Sequence, residues 1–335
     1  MKYKKTKTKL CSGNILGYTI KKNSFILKKG HKLSQSDIKK LEKENIDYVY
    51  TASLDKEDIQ ENAAASFIAK KLIGNKTNIK KAFTGRCNIY SKEYGLVKIN
   101  DKIINKINTL SSSITIATIP PWSLVNKNQM LATVKIIPFA VNSSLIKKVI
   151  VKTINQKPII EVKPISSHNV GVIITKLPNT RNSIIDKSSN NIKTRIEKYG
   201  SEISKEIICN HDESSISNSI KYLIELKCSP ILISGAAAIV DQNDIIPLSI
   251  KQTGGKVIHF GMPVDPGNLL LLGKYKSTSI IGLPGCARSL KLNGLDWVLW
   301  RIFANINISS KDIQMLGVGG LLNEIHSRPQ SRENE

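Results

Sequence analysis

The residues best equipped for chemistry lie in two short loops in the C-terminal half of this 335-residue chain. One is Gly282, Leu283, Pro284, Gly285, Cys286, Ala287, Arg288 and Ser289, directly after the apolar stretch TSII. Gly282 and Gly285 permit a tight turn, Arg288 supplies a planar fork of donors, and Ser289 adds a hydroxyl at a helix start. That set suits a phosphate. The other loop is Ser234, Gly235, Ala236, Ala237 and Ala238, immediately after ILIS. Its small side chains let the backbone approach a ligand, and Ser234 can donate a hydrogen bond. Each loop alone also fits an ordinary strand-to-helix turn, and neither matches a dinucleotide G-x-G-x-x-G or a P-loop. Two of them in one sheet say more than either does singly.

Asp241 and Asp244 follow the Ser234–Ala238 loop, the first of the two in the chain, and form the candidate catalytic pair, able to hold Mg²⁺ or to accept a hydrogen bond from a ligand ring. The alternative is that Asp244 caps a helix beginning near Ile245. Residues 261–268, with two glycines, two prolines and Asp265, read as a rigid loop of the kind that carries function. His259 is either a packed strand histidine or a catalytic one. Cys286 at a helix start has the position of a lowered-pKa thiol, though the turn needs only a small residue there. Thr84, Gly85 and Arg86 read as a second anion contact or as a plain hairpin turn.

Two regions must position these residues. From about residue 166 the chain alternates strand and helix: strands at 170–175, 204–208, 231–234, 256–259 and 279–282, helices at 188–199, 214–226, 244–253 and 287–304. The fully apolar runs VGVIIT and ILIS are those of strands buried on both faces. This grammar predicts a three-layer α/β fold with a mostly parallel sheet, whose ligands bind at the carboxyl ends of the strands. Residues 1–163 predict a smaller, β-rich α+β domain. Its helices fall at 59–72 and after Ser34, which has Asp37 as capping-box partner, and its strands at 47–50, 94–99, 113–119 and 131–139. Residues 307–335 read as a linker-like tail.

Composition narrows the class further. The formal charge is +24 with 41% hydrophobic and 5% aromatic residues, and the pI is near 9.8. Apart from Lys2, Lys4, Lys5, Lys7 and Lys9, the lysines are spread along the whole chain. They read as solvated faces rather than a nucleic-acid stripe, while still steering an anionic small molecule. Five scattered cysteines with no C-x-x-C pair argue against a structural zinc site. The polar CSGNILGYTI after the basic N-terminus is no signal-peptide core, and no long apolar run suggests a membrane span. The expectation is a soluble, cytoplasmic protein.

The succession SGAAA, Asp244, TGGKVIHFG, PVDPGN and GLPGCARS resembles the molybdopterin-binding (MoaB/Mog-like) domain of molybdopterin molybdenumtransferases, gephyrin and Mog-type adenylyltransferases. FTGRCN, LATVKIIPFAV, GMPVDPGNLLLLG and PGCARS followed by KLNGLDWVL resemble more closely the module fused ahead of bacterial molybdenum cofactor cytidylyltransferases, over nearly the whole chain. The resemblance implies a role in molybdenum cofactor biosynthesis, with molybdopterin or its nucleotide derivative as ligand and Mg²⁺ as a possible ion. It also implies a homo-oligomer, and a separate cytidylyltransferase or molybdoenzyme as partner. It matches Gly235, Asp244, Pro266, Gly267, Leu283, Pro284, Gly285 and Ser289 to the family's loops; with Ser234, Ala236, Asn268, Gly282, Cys286 and Arg288 of the same loops, the candidate ligand-binding residues are Ser234, Gly235, Ala236, Pro266, Gly267, Asn268, Gly282, Pro284, Gly285, Cys286, Arg288 and Ser289. Cys286, Ala287 and Arg288 replace the family's N-P-x, Asn268 stands where a basic residue is usual, and the first loop has one glycine. These departures bear on molybdate handling more than on pterin binding. Two functions follow from the resemblance: metal insertion or nucleotide activation of molybdopterin, or non-catalytic binding and hand-over.

Overall fold

A computed structural model describes residues 1–322 apart from 154, 156 and 157. The chain separates into two compact units, Met1–Pro164 and Ile165–Glu335.

The first unit holds two cores. In one, the helix Gln35–Lys43 starts at Ser34, whose hydroxyl accepts from the Asp37 N–H while Asp37 accepts from the Ser34 N–H. Ile38 and Leu41 of that helix pack with Leu16, Leu33 and Val49. In the other, the helix Glu61–Leu72 presents Ala64, Ala65, Ile68, Ala69 and Leu72. They meet Cys87 and Ile89 of the strand Arg86–Ser91 and Leu131, Val134 and Ile136 of the strand Met130–Ile136. Alanines there let helix and antiparallel sheet approach closely. Two helices not anticipated from sequence, Asp101–Asn108 and Ser143–Thr153, complete it. Both are rich in Ile or Val, which lowers helix propensity and makes such segments read as strands; burial of Ile103, Ile104 and Ile107 decides the outcome.

The second unit is an α/β arrangement. Its elements are β1 (Asn169–Lys176), α1 (Asn182–Glu197), β2 (Glu202–Asn210), α2 (Glu213–Glu225), β3 (Ile231–Ser234), α3 (Ile245–Gln252), β4 (Lys256–Phe260), β5 (Leu271–Tyr275), β6 (Thr278–Gly282), α4 (Gly294–Phe303) and α5 (Ser310–Gln314). The six strands form one sheet in the order β2, β1, β3, β6, β5, β4. The first four run parallel, β5 is antiparallel to β6, and the edge strand β4 is antiparallel to β5.

Register explains why the central strands are wholly apolar. Val172, Leu232, Ile281 and Leu272 lie abreast across β1, β3, β6 and β5, and all are buried. The next row, Ile173, Ile233, Gly282 and Leu271, points to the other face, where α2 and α3 bring Ile216, Ile220, Leu223, Ile246 and Ile250. A two-residue period with both sets buried means both faces of the sheet are covered.

Two sequence expectations need correction. β5 was absent from them: LLLLGKY follows a turn-rich loop directly and pairs back as a hairpin partner of β6. The last helix is not continuous over 287–304. Gly285–Arg288 forms a single 3₁₀ turn, and α4 begins afresh at Gly294 behind an Asn293–Asp296 capping box. The turn ends at Ser289, whose carbonyl accepts from Arg195, and the Asn293–Asp296 box starts the helix anew.

The segment after α4 is held in place as far as it is described. Leu321 forms a bridge with Asp265, and the Asp265 N–H donates to Gly320 O at 2.9 Å while Leu322 N–H donates to Asp265 O at 2.8 Å. The tail expectation for residues 323–335 lies outside the described residues.

Candidate ligand cleft

The parallel strands β1, β3 and β6 end side by side, and the loops leaving them surround two adjoining hollows. One, of about 170 Å³, is lined by residues 234–238 and by Leu283, Pro284, Gly285, Ala287 and Arg288, with Ser188 and Ile192 of α1. The other, of about 270 Å³, adds Thr175, Asn179, Thr180 and Arg181 and shares Ser188, Ser234, Gly235, Ala236 and Arg288. The two sequence-singled loops therefore do meet at the carboxyl ends of parallel strands, where open α/β sheets bind ligands.

Among the described lining residues the only charged side chains are Arg181 and Arg288; no carboxylate faces the space. Such a wall favours an anion. Arg288 ties the loops together, its Nη2 donating to the Gly235 carbonyl at 3.4 Å. Asn191 of α1 donates to the Arg288 carbonyl at 2.5 Å. Gly235 has no room for a side chain, since a Cβ would stand 2.6 Å from Ala237 O, whereas nothing lies within 4 Å of a Cβ built on Gly285. The first glycine serves loop packing; the second leaves the cleft open.

Sequence reasoning missed the residue that organises the first loop. Thr175, the last residue of VGVIIT, is 3% exposed. Its hydroxyl accepts from the Ala236 N–H at 2.8 Å and lies 2.8 Å from His211 Nδ1 and 3.5 Å from Ser234 O. The signal was a hydroxyl ending an apolar strand just before the turn KLPN. The turn itself, which carries Asn179, Thr180 and Arg181, closes when Thr180 Oγ1 accepts from the Leu177 N–H at 2.9 Å.

Behind the second loop lies a buried polar cluster, also missed. Arg195 of α1 donates to the carboxylate of Asp296 and to the carbonyl of Ser289, and Tyr199 donates to Asp296 Oδ1 at 2.9 Å. The Arg195 and Asp296 side chains are 4% and 3% exposed. Burial, and after it the Asp296 charge, pushes the Tyr199 phenol far up, so it stays a protonated donor. The cluster clamps α4, α1 and the backbone of the phosphate-type loop together.

Other sequence candidates stand apart from the cleft lining. Asp244 is the N-cap of α3, its carboxylate accepting from Ile245 N–H at 2.7 Å and Val240 N–H at 3.1 Å. Asp241 accepts from Asn243 N–H at 2.7 Å. Both carboxylates are turned to their own loop, and among the described residues no group of three or more His, Cys, Asp or Glu could hold a metal. Pro266, Gly267 and Asn268 form a turn packed on α4: Pro266 O accepts from Gly294 N–H and Asn268 O from Met262 N–H, both at 2.8 Å. Cys286 is buried in the 3₁₀ turn, and Ser289 follows it as the turn's C-cap. His259 Nδ1 meets Ser310 Oγ at 2.8 Å, a packing contact with α5. Thr84 and Gly85 have φ of 47° and 70° between the reciprocal Phe83 and Arg86 hydrogen bonds; they are a hairpin turn. Among the described residues no helix is long and apolar enough to cross a membrane.

No family model matches the chain, and no curated protein does. Solved structures similar to it include the molybdopterin biosynthesis MoeA protein from Pyrococcus horikosii, at 10% identity and a TM-score of 0.31, covering 91% of this chain and 75% of that one. Another is a molybdenum cofactor biosynthesis protein from Pyrococcus furiosus, at 11% identity and a TM-score of 0.23, covering 92% of this chain and 66% of that one.

Proposed function

We propose that the cleft at the ends of β1, β3 and β6 binds molybdopterin, or its nucleotide derivative, through its phosphate, and that the chain serves molybdenum cofactor biosynthesis. The observation that carries this reading is the convergence of the two small-residue loops with Arg181 and Arg288 on a space free of carboxylates among its described lining residues. The phrase resemblance supplies the identity of the ligand; the cleft supplies an anion site of the right kind. On the same reading the second unit is a three-layer αβα domain of the MoaB/Mog type, which the burial of both β-sheet faces supports.

Thr175 and the Ala236 amide shape the floor, Arg288 and Arg181 neutralise phosphate charge, and Ile192 with residues 236–238 offers an apolar wall to a flat ring system. Asp241 and Asp244 do not fit a magnesium site as they stand, because each carboxylate already accepts from its own loop and neither lines the cleft. That observation favours binding and hand-over, to a separate cytidylyltransferase or an apo-molybdoenzyme, over metal insertion by this chain alone.

The test is to purify the protein from a host that makes molybdopterin and identify any co-purified ligand by mass spectrometry. A phosphorylated pterin or its nucleotide ester in near-stoichiometric amount is expected. A protein that emerges empty and takes up no molybdopterin in titration would sink the reading.

A further inference from the structure

One sequence feature has no part in the cleft: the lysines of the first ten residues. The structure puts them on a sheet with an unusual outer face. The strand Lys2–Lys7 lies at the edge of a three-stranded sheet, next to Tyr48–Ser53 and then Ile15–Leu16. Lys5 lies opposite Tyr50, Lys7 opposite Tyr48, and Tyr3 opposite Ala52. Val49 and Thr51 turn into the core at 1% exposure, so Tyr48, Tyr50, Tyr3, Lys5 and Lys7 share the outer face.

The tyrosines there are in contact with one another and with solvent. Tyr3 and Tyr50 stack with centroids 6.0 Å apart and planes 22° from parallel; Tyr18 meets Tyr50 edge-on at 6.4 Å. Tyr3, Tyr18, Tyr48 and Tyr50 are 43–52% exposed, and Lys5 Nζ lies 5.1 Å from the Tyr48 ring centre. Gly17 makes room for this: a Cβ there would fall 2.4 Å from the Tyr3 hydroxyl. Among the described residues, none of Lys2, Lys4, Lys5, Lys7 or Lys9 pairs with a carboxylate. Lysines on an edge strand also deter pairing with other sheets. That role does not account for exposed rings on two neighbouring strands and, at Tyr18, just past the end of the third.

We propose that this face binds single-stranded nucleic acid, bases stacking on Tyr3, Tyr50 and Tyr18 and phosphates lying along Lys5, Lys7 and their neighbours. Half-exposed rings beside cations that pair with no carboxylate among the described residues match the two needs of an unpaired strand, a stacking surface and backbone neutralisation. A duplex offers only the second, since its bases are already stacked. A six-residue strand is about 20 Å long, enough for roughly three nucleotides.

The experiment is fluorescence anisotropy of a labelled uridine dodecamer with the full chain at several salt concentrations. Saturable binding is expected, weaker by about tenfold or more in Tyr50→Ala and nearly retained in Tyr50→Phe, because the ring rather than the hydroxyl does the stacking. Replacing Lys5 and Lys7 together by Ala should lower the salt slope by about 1.4, two phosphates at about 0.7 each. Far-UV circular dichroism checks that each variant is folded, and Tyr50→Phe keeps the test open if Tyr50→Ala is not. Absence of binding, equal binding by folded wild type and Tyr50→Ala, equal affinity for a blunt duplex, or displacement by a polyglutamate peptide as readily as by unlabelled uridine strand would each overturn the proposal.

Discussion

Thr175 and Arg288 divide the work of the cleft between shape and charge. Removing the Arg288 guanidinium by Arg288→Ala should weaken molybdopterin binding by about 1.5–3 kcal/mol, the range for a hydrogen bond to a charged group. Isothermal titration measures it, and unchanged affinity would remove Arg288 from the site. Thr175→Val keeps the side-chain volume but takes away the oxygen that receives the Ala236 N–H. The orphaned amide should cost about 1–3 kcal/mol, appearing as a lower denaturation midpoint and as weaker ligand binding. Arg288 was legible because glycines, a proline and an arginine cluster in one short stretch. Thr175 was not, since a lone threonine at the end of an apolar run looks like the strand's last residue. Its importance comes from a hydrogen bond to a residue 61 positions away, a distance no local pattern encodes.

At the level of elements, the site depends on α1 and α4 being locked behind the second loop. The Arg195–Asp296 pair does this in a buried setting, with Arg195 also donating to the Ser289 carbonyl. Asp296→Ala leaves a buried guanidinium without its counter-charge and should destabilise by about 3–5 kcal/mol; urea denaturation reads this directly. The elements of the second unit were largely readable, because strands buried on both faces must be apolar throughout and the helices between them carry capping signals such as Asp212 and Asp244. β5 escaped because its glycine and lysine break the apolar run. The division of the last helix escaped because Arg288 to Asn293 have no strong breaker, and the break is set by where Arg195 grips the chain.

For the whole molecule, the separate cores make stability a property of each unit, and acidity should act first where carboxylates are held ionised. Burial pushes the Asp37 carboxyl up, but the Ser34 hydroxyl, His31 and the Ser34 N–H outweigh it and hold the group far below the ordinary carboxylate range. A depressed folded-state value means the stabilisation is complete above about pH 4 and drains away as the pH falls below that. Asp37→Asn should therefore lower the urea midpoint at pH 6, and its difference from wild type should shrink only gradually as the pH is taken below 4, most of it persisting at pH 3. Composition reads the lysine excess as scattered solvated faces. In the first strand, pairing with Tyr48–Ser53 gathers cations and rings that are far apart in sequence, which composition cannot show.

The contact between Gly267 and Gly294 has a consequence for how this fold tolerates change. Gly267 has φ of 144°, and a Cβ on it would stand 2.8 Å from Gly294 Cα; a Cβ on Gly294 would stand 2.5 Å from Met262 Sδ and 3.4 Å from Gly267 Cα. Two backbones pressed together at one point behave as a single lesion site. Gly267→Ala and Gly294→Ala should each lower stability, yet the double variant should lose clearly less than the sum, because the first methyl already separates loop from helix. Strict additivity in a double-mutant cycle would show that the two chains give way independently. Where coupling holds, the second change costs less than the first, so the pair constrains the sequence as one unit rather than two.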